Sequence, residues 1–204
     1  MTISEQLVTG RRERKKAATR AAIADAALRL FLERGYDQVS VKDVADAADV
    51  AVTTLFQHFP GKEALVFDQD ENREQALVAA VTDRSAEQSV LDALEAYYQA
   101  SHSLTLDPAL KDFLRLVRQT PALREYARRM WTRHEASLTR AIADSTGTAV
   151  DDIAAGALAR FSLEALDLAG EQPSPRLALT ATFDHLRKGW GDYGRTASGT
   201  PSRR

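Results

Sequence analysis

The side chains best suited to specific chemistry lie in residues 51–58, where several could contact the base edges of DNA. On a helix, Val52, Thr53 and Gln57 would occupy positions i, i+1 and i+5 and so point in similar directions. Gln57 can form paired hydrogen bonds to adenine, Thr53 can contact a base edge or a thymine methyl, and Val52 offers only apolar contact. This face therefore has the composition of a base-reading surface.

Two short helices must position that face. The first has an apolar stripe at i, i+3, i+4 and i+7, formed by Val41, Val44, Ala45 and Ala48. Ser40 is its candidate N-cap, and its hydroxyl could also receive a phosphate oxygen. The second helix turns Leu55 and Phe59 inward. Two short helices joined by a tight turn form the helix-turn-helix that places its second helix in the DNA major groove.

This stretch resembles the helix-turn-helix of TetR-family transcriptional regulators. The matching positions are Phe31, Gly35, Tyr36, Thr54, Leu55, Phe56, Phe59, Lys62, Glu63 and Leu65. Two positions depart from the family pattern: Asp49 replaces the turn glycine, and Ala51 replaces the capping serine. The lost cap should weaken the helix start by roughly 1 kcal/mol. The resemblance is strongest over residues 17–66, and the later part resembles the family members related to mycofactocin regulators.

The resemblance implies a homodimeric repressor that a small-molecule effector releases from a palindromic operator. It also implies a phosphate contact for Lys62. Two alternatives stay open, namely a helical protein-interaction bundle without DNA readout and a regulator without an effector. Binding to the DNA that flanks the coding region would separate a regulator from an interaction bundle.

Charge is distributed unevenly, although the formal net charge is only −2. Residues 11–20 contain six basic side chains and one acidic side chain, a concentration that favours contact with the DNA backbone. We expect backbone contacts from Arg11, Arg12, Arg14, Lys15 and Lys16. Further expected phosphate contacts come from Ser40, Thr54, Phe56, His58 and Lys62.

Enzymatic chemistry has little support in the sequence. The chain contains no cysteine, and its four histidines lack metal-ligand spacing. Nucleophile-elbow, P-loop and dinucleotide-binding motifs are also absent from the sequence. We therefore expect no enzyme, no metal and no cofactor. A secretion signal and a run of about 18 apolar residues are likewise absent from the sequence, so we expect a cytoplasmic protein without membrane contact.

Helical periodicity without strand alternation continues to the C-terminal region, which predicts an all-α chain. We expect a three-helix DNA-binding unit followed by a bundle of about six helices. The predicted divisions are a flexible basic arm at 1–16, the helix-turn-helix domain at 17–61, an effector-binding and dimerisation domain at 62–193, and a flexible tail at 194–204. Helix 1 should span Ala17 to Arg34, with Gly35 as its stop, and helix 4 should run from Lys62 to roughly Asp83.

Aromatic and polar side chains recur on the apolar stripes of predicted helices 5 to 7. They are Tyr97, Tyr98, Phe113, Met130, Trp131 and His134. Each alone fits an ordinary core, but together they carry more hydroxyl, indole and imidazole groups than a core needs. The resemblance implies a cavity in this region. We therefore expect a small apolar or aromatic effector there, oriented by His134 or a tyrosine hydroxyl.

Apolar stripes on the last two helices predict a four-helix interface between two copies. The residues expected there are Ala157, Phe161, Ala165, Leu179, Phe183, Leu186 and Trp190.

Overall fold

The computed structural model describes residues 3–100 and 108–190, and their regular structure is entirely helical. The helices are α1 (Ile3–Arg34), α2 (Val41–Ala47), α3 (Val52–His58), α4 (Asp70–Thr82), α5 (Val90–Ala100), α6 (Pro108–Gln119), α7 (Pro121–Thr146), α8 (Ile153–Gly170) and α9 (Pro175–Trp190). A short 3-10 turn, Glu63–Leu65, lies between α3 and α4. The prediction of an all-α fold is confirmed. The predicted tail at 194–204 lies outside the described residues.

The described chain divides into two compact units. The first contains residues 3–70 and 111–127. Its core joins one face of α1 to the inward faces of α2 and α3, through Ile23, Ala27, Phe31, Val44, Ala45, Leu55 and Phe59. Burying each larger apolar side chain contributes roughly 1.5–3 kcal/mol, so the long α1 supports the two short helices.

Local sequence signals set the ends of these helices. Gly35 has φ 87° and donates from its amide to the Phe31 carbonyl at 3.0 Å, which ends α1. Ser40 caps α2 reciprocally with Asp43: the Asp43 amide donates to Ser40 Oγ at 3.1 Å, and the Ser40 amide donates to Asp43 Oδ2 at 2.7 Å. Ala51 provides no side-chain cap for α3, as its side chain predicts.

Two predicted boundaries are wrong. Residues 3–16 continue α1 instead of forming a flexible arm, because residues 3–34 contain no proline and Gly10 costs a helix only about 1 kcal/mol. Helix 4 begins at Asp70 instead of Lys62. The intervening residues fold into the first unit, where Leu65 and Val66 are buried, so this unit extends beyond the expected end at residue 61.

The second unit contains residues 71–100, 108–110 and 128–190. Its core is formed mainly by α5, α7, α8 and α9, with Leu91, Leu94, Tyr98, Ile142, Leu158, Ala159, Leu179 and Phe183 among the buried residues. Polar contacts link α9 to α5: Arg187 pairs with Asp92 at 3.0 Å and also with Glu95, and Gln99 donates to Thr180 Oγ1 at 2.9 Å. Packing and ion pairs therefore fix α9 within its own subunit.

Candidate nucleic-acid interface and cavity

The recognition face of α3, defined as Val52, Thr53, Phe56 and Gln57, lies opposite its buried anchor. Leu55 is fully buried, whereas Thr53 and Gln57 are exposed. Phe56 is 52% exposed. Val52 is half-buried and packs against the core of the first unit. Thr53, Phe56 and Gln57 are thus the members of the face most available to a partner.

The turn before α3 keeps the left-handed backbone that glycine would favour. Asp49 has φ 53° and is the only non-glycine residue with positive φ in the described chain. The amide of the next residue, Val50, donates to the Ala45 carbonyl at 3.0 Å and closes the turn. Asp accepts this conformation better than most residues do. The substitution therefore preserves the turn between α2 and α3.

Arg20 holds the end of α3 in place, a role that was not expected from the sequence. Its guanidinium donates to the carbonyls of His58 at 2.5 Å and Asp68 at 3.1 Å, and pairs with the Asp68 carboxylate at 2.7 Å. It also lies 4.3 Å from the centroid of the Phe59 ring. These contacts link α1, the C-terminal end of α3 and the segment before α4. The available signal was helical register, since Arg20 shares a face with buried Ala24, Ala27 and Phe31.

Lys62 is also held inward in the described structure. Its ammonium donates to the Tyr36 carbonyl at 2.6 Å and lies 4.0 Å from the Tyr36 ring centroid. Burial lowers the pKa of Lys62, while the charges of Asp37 and Glu63 act in the opposite direction. The predicted phosphate contact of Lys62 would therefore have to preserve or replace its contact with Tyr36.

Two other expected phosphate contacts have distinctive electrostatic surroundings. Burial, followed by the positive charges of Arg20 and Lys16, lowers the pKa of His58, so its imidazole is predominantly neutral near pH 7. Ser40 Oγ donates to Asp43 Oδ2 at 2.6 Å, and hydrogen bonds from Ser40 lower the pKa of that carboxyl. A phosphate at Ser40 would lie beside the ionised carboxylate of Asp43, and repulsion between the two negative charges opposes that contact.

Five exposed basic side chains follow closely along the sequence of α1, and we refer to them as the basic row. They are Arg11, Arg12, Arg14, Lys15 and Lys16. The charge on Lys16 acts on His58 at the end of α3, which associates this end of the row with the recognition element. Thr54 is half-buried on α3 itself. The assignment of these residues to phosphate contacts remains a prediction.

A cavity of about 310 Å³ lies within the second unit. It brings together Tyr97, Tyr98, Met130, Trp131 and His134 from the expected set, with Arg73, Leu77, Ala100, Leu163 and Leu166. Phe113 belongs to the first unit instead, where its ring lies 5.9 Å from that of Phe67. The placement of Phe113 in the common interior was therefore wrong, because its apolar stripe packs with a different set of helices.

A small polar network adjoins the cavity. His134 is 3% exposed, and its ring meets Trp131 edge-on with centroids 5.5 Å apart. His134 Nε2 lies 3.9 Å from Glu74 Oε2. Glu74 also accepts hydrogen bonds from Ser137 at 2.6 Å and Arg133 at 2.9 Å. Burial opposes ionisation of Glu74, but those hydrogen bonds prevail and lower its pKa.

The two tyrosines of the cavity occupy different environments. Tyr98 is fully buried, and burial raises the pKa of its hydroxyl. Tyr97 is half-buried, and its hydroxyl donates to the Arg73 carbonyl at 3.3 Å. Both phenols therefore remain neutral near pH 7 and could hydrogen-bond to a ligand without adding charge.

The expected dimer residues divide between core and surface. Ala165, Leu179 and Phe183 are buried in the second unit, so their assignment to an interface was wrong. An apolar stripe in the sequence shows that one face of a helix is buried, but it does not show which helices cover that face. Leu186 packs partly against this core, and Ala157 is half-buried. The Trp190 side chain lies outside the described part of the chain.

A different apolar face remains on α8. Phe161 is 45% exposed, and Ile153 and Leu168 are also exposed. Together with Ala157 they recur at spacings of 4, 4 and 7 residues, which places them on one side of the helix. Leu177 supplies an exposed apolar side chain on α9. Ile153, Leu168 and Leu177 were not among the residues expected at the interface from the sequence.

The described residues provide no group of three potential His, Cys, Asp or Glu ligands suited to a metal ion. Across residues 3–100 and 108–190, no helix combines the length and apolar character that membrane crossing requires.

The sequence of this chain is similar to those of known bacterial regulatory proteins. The family profile for "Bacterial regulatory proteins, tetR family" matches residues 23–68. TcmR, an HTH-type transcriptional regulator from Streptomyces glaucescens, is 34% identical over 152 residues, covering 70% of this chain and 67% of TcmR. MftR of Mycobacterium tuberculosis, assigned to regulation of mycofactocin biosynthesis, is 27% identical over 184 residues, covering 86% of this chain and 93% of MftR.

The fold is also similar to the solved structure of NalD, a repressor from Pseudomonas aeruginosa. The TM-score is 0.58 with 21% sequence identity, and the match covers 86% of this chain and 96% of NalD. At this identity the likeness concerns the fold alone.

Proposed function

The chain belongs to the tetR family of bacterial regulatory proteins, and we propose that it is a homodimeric repressor released from a palindromic operator by a small molecule. Membership makes it a DNA-binding transcriptional regulator and not an enzyme. Repression is the mode we propose because KstR of Mycobacterium tuberculosis, 43% identical over 75 residues, is a repressor. A regulator of this kind must reach the chromosome, so we place it in the cytoplasm.

The main observation in favour of this function is the exposed recognition face of α3, a helix that contacts of the first unit hold in place. Leu55 anchors α3 in the core, while Thr53 and Gln57 remain exposed. Arg20 fixes the C-terminal end of the same helix. Because α3 is held both at Leu55 and at its C-terminal end, its exposed side chains can keep a defined arrangement against base edges. The alternative interaction bundle has no need for such a face beside a basic row.

Base readout and backbone contact are assigned to different side chains. Gln57 and Thr53 would contact bases, and half-buried Val52, whose side chain has no polar atom, would offer only apolar contact. The exposed cations from Arg11 to Lys16 would contact phosphates without reading sequence. Contacts from Thr54, Phe56, His58 and Lys62 would set the position of α3 against the backbone.

Dimerisation would use the exposed face of α8, together with Leu177 of α9. Phe161 and Leu168 supply apolar surface that the subunit does not bury completely. An interface with twofold symmetry presents the same patch from each copy. It would pair two α3 helices with half-sites about 34–36 Å apart, one turn of DNA. Such pairing predicts a palindromic operator.

The cavity would provide the control site. α4 supplies Arg73 and Leu77 to the lining of the cavity, and the first residue of this helix, Asp70, belongs to the first unit. A ligand that favours one position of α4 can therefore shift the population between DNA-binding and non-binding dimers. By linkage, DNA must weaken ligand binding by the same factor.

A gel-shift measurement with DNA flanking the coding region tests the proposal. The intact chain should form a specific complex that competitor DNA of unrelated sequence does not remove. Gln57→Ala should relax the preference at one base position per half-site while retaining backbone binding. Failure to bind any flanking fragment or other genomic fragment would favour an interaction bundle without DNA readout.

A further inference from the structure

The cavity of the second unit has one cation and no carboxylate among its ten lining residues in the described chain. Resting on the proposed ligand-binding function of this cavity, we infer that its ligand is an organic carboxylate with an aromatic or aliphatic body. Arg73 binds the carboxylate, and the aromatic and aliphatic lining covers the body. This assignment adds a carboxylate to the small apolar or aromatic effector expected from the sequence.

Arg73 supplies the positive charge of the described cavity lining. Arg73 forms no ion pair with a carboxylate in the described residues. Glu74 lies next in sequence, but it receives a charge-assisted hydrogen bond from Arg133 and a second hydrogen bond from Ser137. Because Arg133 already pairs with Glu74, this neighbouring carboxylate has a cationic partner, and Arg73 gives the lining a positive charge that complements an anion.

The charged group of the cavity lining is exposed, whereas several aromatic and apolar lining residues are buried. Arg73 and Trp131 are exposed, whereas Tyr98, Met130 and His134 are buried. A carboxylate at Arg73 can retain water and pair with the guanidinium, avoiding the large cost of burying an isolated charge. The body of the same ligand would extend inward beside Met130 and the Trp131 ring.

The aromatic walls could in principle attract a cation through their ring faces. Arg73 opposes that choice because its own charge lies on the same lining as Tyr97 and Trp131. A neutral ligand would gain contact with the apolar walls but leave the guanidinium without a charged partner. Electrostatic complementarity therefore favours a carboxylate over an amine or an uncharged analogue.

Matched acids and amides distinguish these possibilities. We would measure binding of 2-naphthoate, 2-naphthamide, octanoate and octanamide to the full chain by isothermal titration calorimetry. At least one acid should bind about tenfold or more tightly than its amide, as expected for hydrogen bonds to a charged group. Arg73→Gln should remove this preference, while Arg73→Lys should retain part of it as a point charge.

Arg140→Gln is the matched control, since Arg140 is exposed on α7 and does not line the cavity. It should leave the acid preference unchanged. Thermal unfolding would verify that each variant remains folded. Equal affinities for acid and amide, or an acid preference that survives Arg73→Gln, would overturn the inference.

A gel shift with bound operator separates this inference from the proposed effector function. An Arg73-dependent acid that binds without releasing DNA would support the carboxylate site and refute effector control by these acids. Amides that bind as well as acids and release DNA would support the control site and overturn the carboxylate assignment. Absence of binding by all four probes at millimolar concentration would contradict both.

Discussion

Replacing Arg20 with Met should weaken the first unit and impair DNA binding together. Met keeps an unbranched apolar side chain but removes the guanidinium contacts to His58, Asp68 and Phe59. Hydrogen bonds to charged groups contribute roughly 1.5–3 kcal/mol each in favourable settings. Because Arg20 remains partly exposed, solvent reduces its ion-pair contribution.

We therefore expect Arg20→Met to lower the free energy of unfolding by about 2–3 kcal/mol. Asp68 would lose its partner at 2.7 Å, and the carbonyl at the end of α3 would lose its donor. Chemical denaturation of the intact chain measures this change. Operator affinity should also fall under conditions where the variant remains folded, because α3 would be less restrained.

Arg29→Met provides a control on the same helix. Arg29 pairs with Glu33 at 3.5 Å, but both side chains are more than half exposed. Removing this surface pair should cost at most about 0.5 kcal/mol. If Arg20→Met costs no more than Arg29→Met, or leaves operator affinity unchanged, Arg20 does not restrain α3.

An Asp68→Asn variant and the corresponding double variant isolate the shared interaction. The coupling between Arg20→Met and Asp68→Asn should be about 1–2 kcal/mol, since the pair is close and the residues share a network. Additive losses would contradict a direct link between α1 and the segment before α4.

Three further predictions concern the DNA surface and the assembly. Gln57→Ala should cost about 1–3 kcal/mol of operator binding and relax one base preference per half-site, which binding to a panel of single-base operator variants can measure. Replacing the exposed basic row on α1 with Gln should reduce the salt dependence by a log–log slope of about 0.9 per lost phosphate contact, whereas an unchanged slope would show that the row is not in contact. Phe161→Asp should yield folded monomers in sedimentation, and a folded dimer of this variant would contradict the α8 interface. Phe183→Asp should instead unfold the second unit because Phe183 is fully buried.

Local sequence patterns were sufficient to predict the helix-turn-helix, but they did not predict every side-chain contact around it. Ser40, Gly35 and the stripe of α2 act within a few residues, so their effects follow from helix geometry. Asp49 could be identified as the turn position, although only the structure resolves its left-handed conformation. Local signals thus defined the element that carries the recognition face.

Predictions failed where a side chain had several possible partners. Phe113 and Phe183 both show helical apolar periodicity, yet one packs on Phe67 and the other within the α5–α9 core. Arg20 contacts a carbonyl 38 residues away, which charge counting cannot reveal. Periodicity identifies a face to bury, whereas the choice of neighbour depends on the three-dimensional arrangement.

Selection of genomic fragments bound by the intact chain is the most direct test of operator recognition by paired α3 helices. We expect enrichment of a palindromic sequence with half-site centres about 10–10.5 base pairs apart or a multiple of that spacing. Repeating the selection with Gln57→Ala should remove preference at one symmetry-related position in each half-site. Enrichment without palindromic symmetry, together with a preference unaffected by Gln57→Ala, would contradict recognition by paired α3 helices.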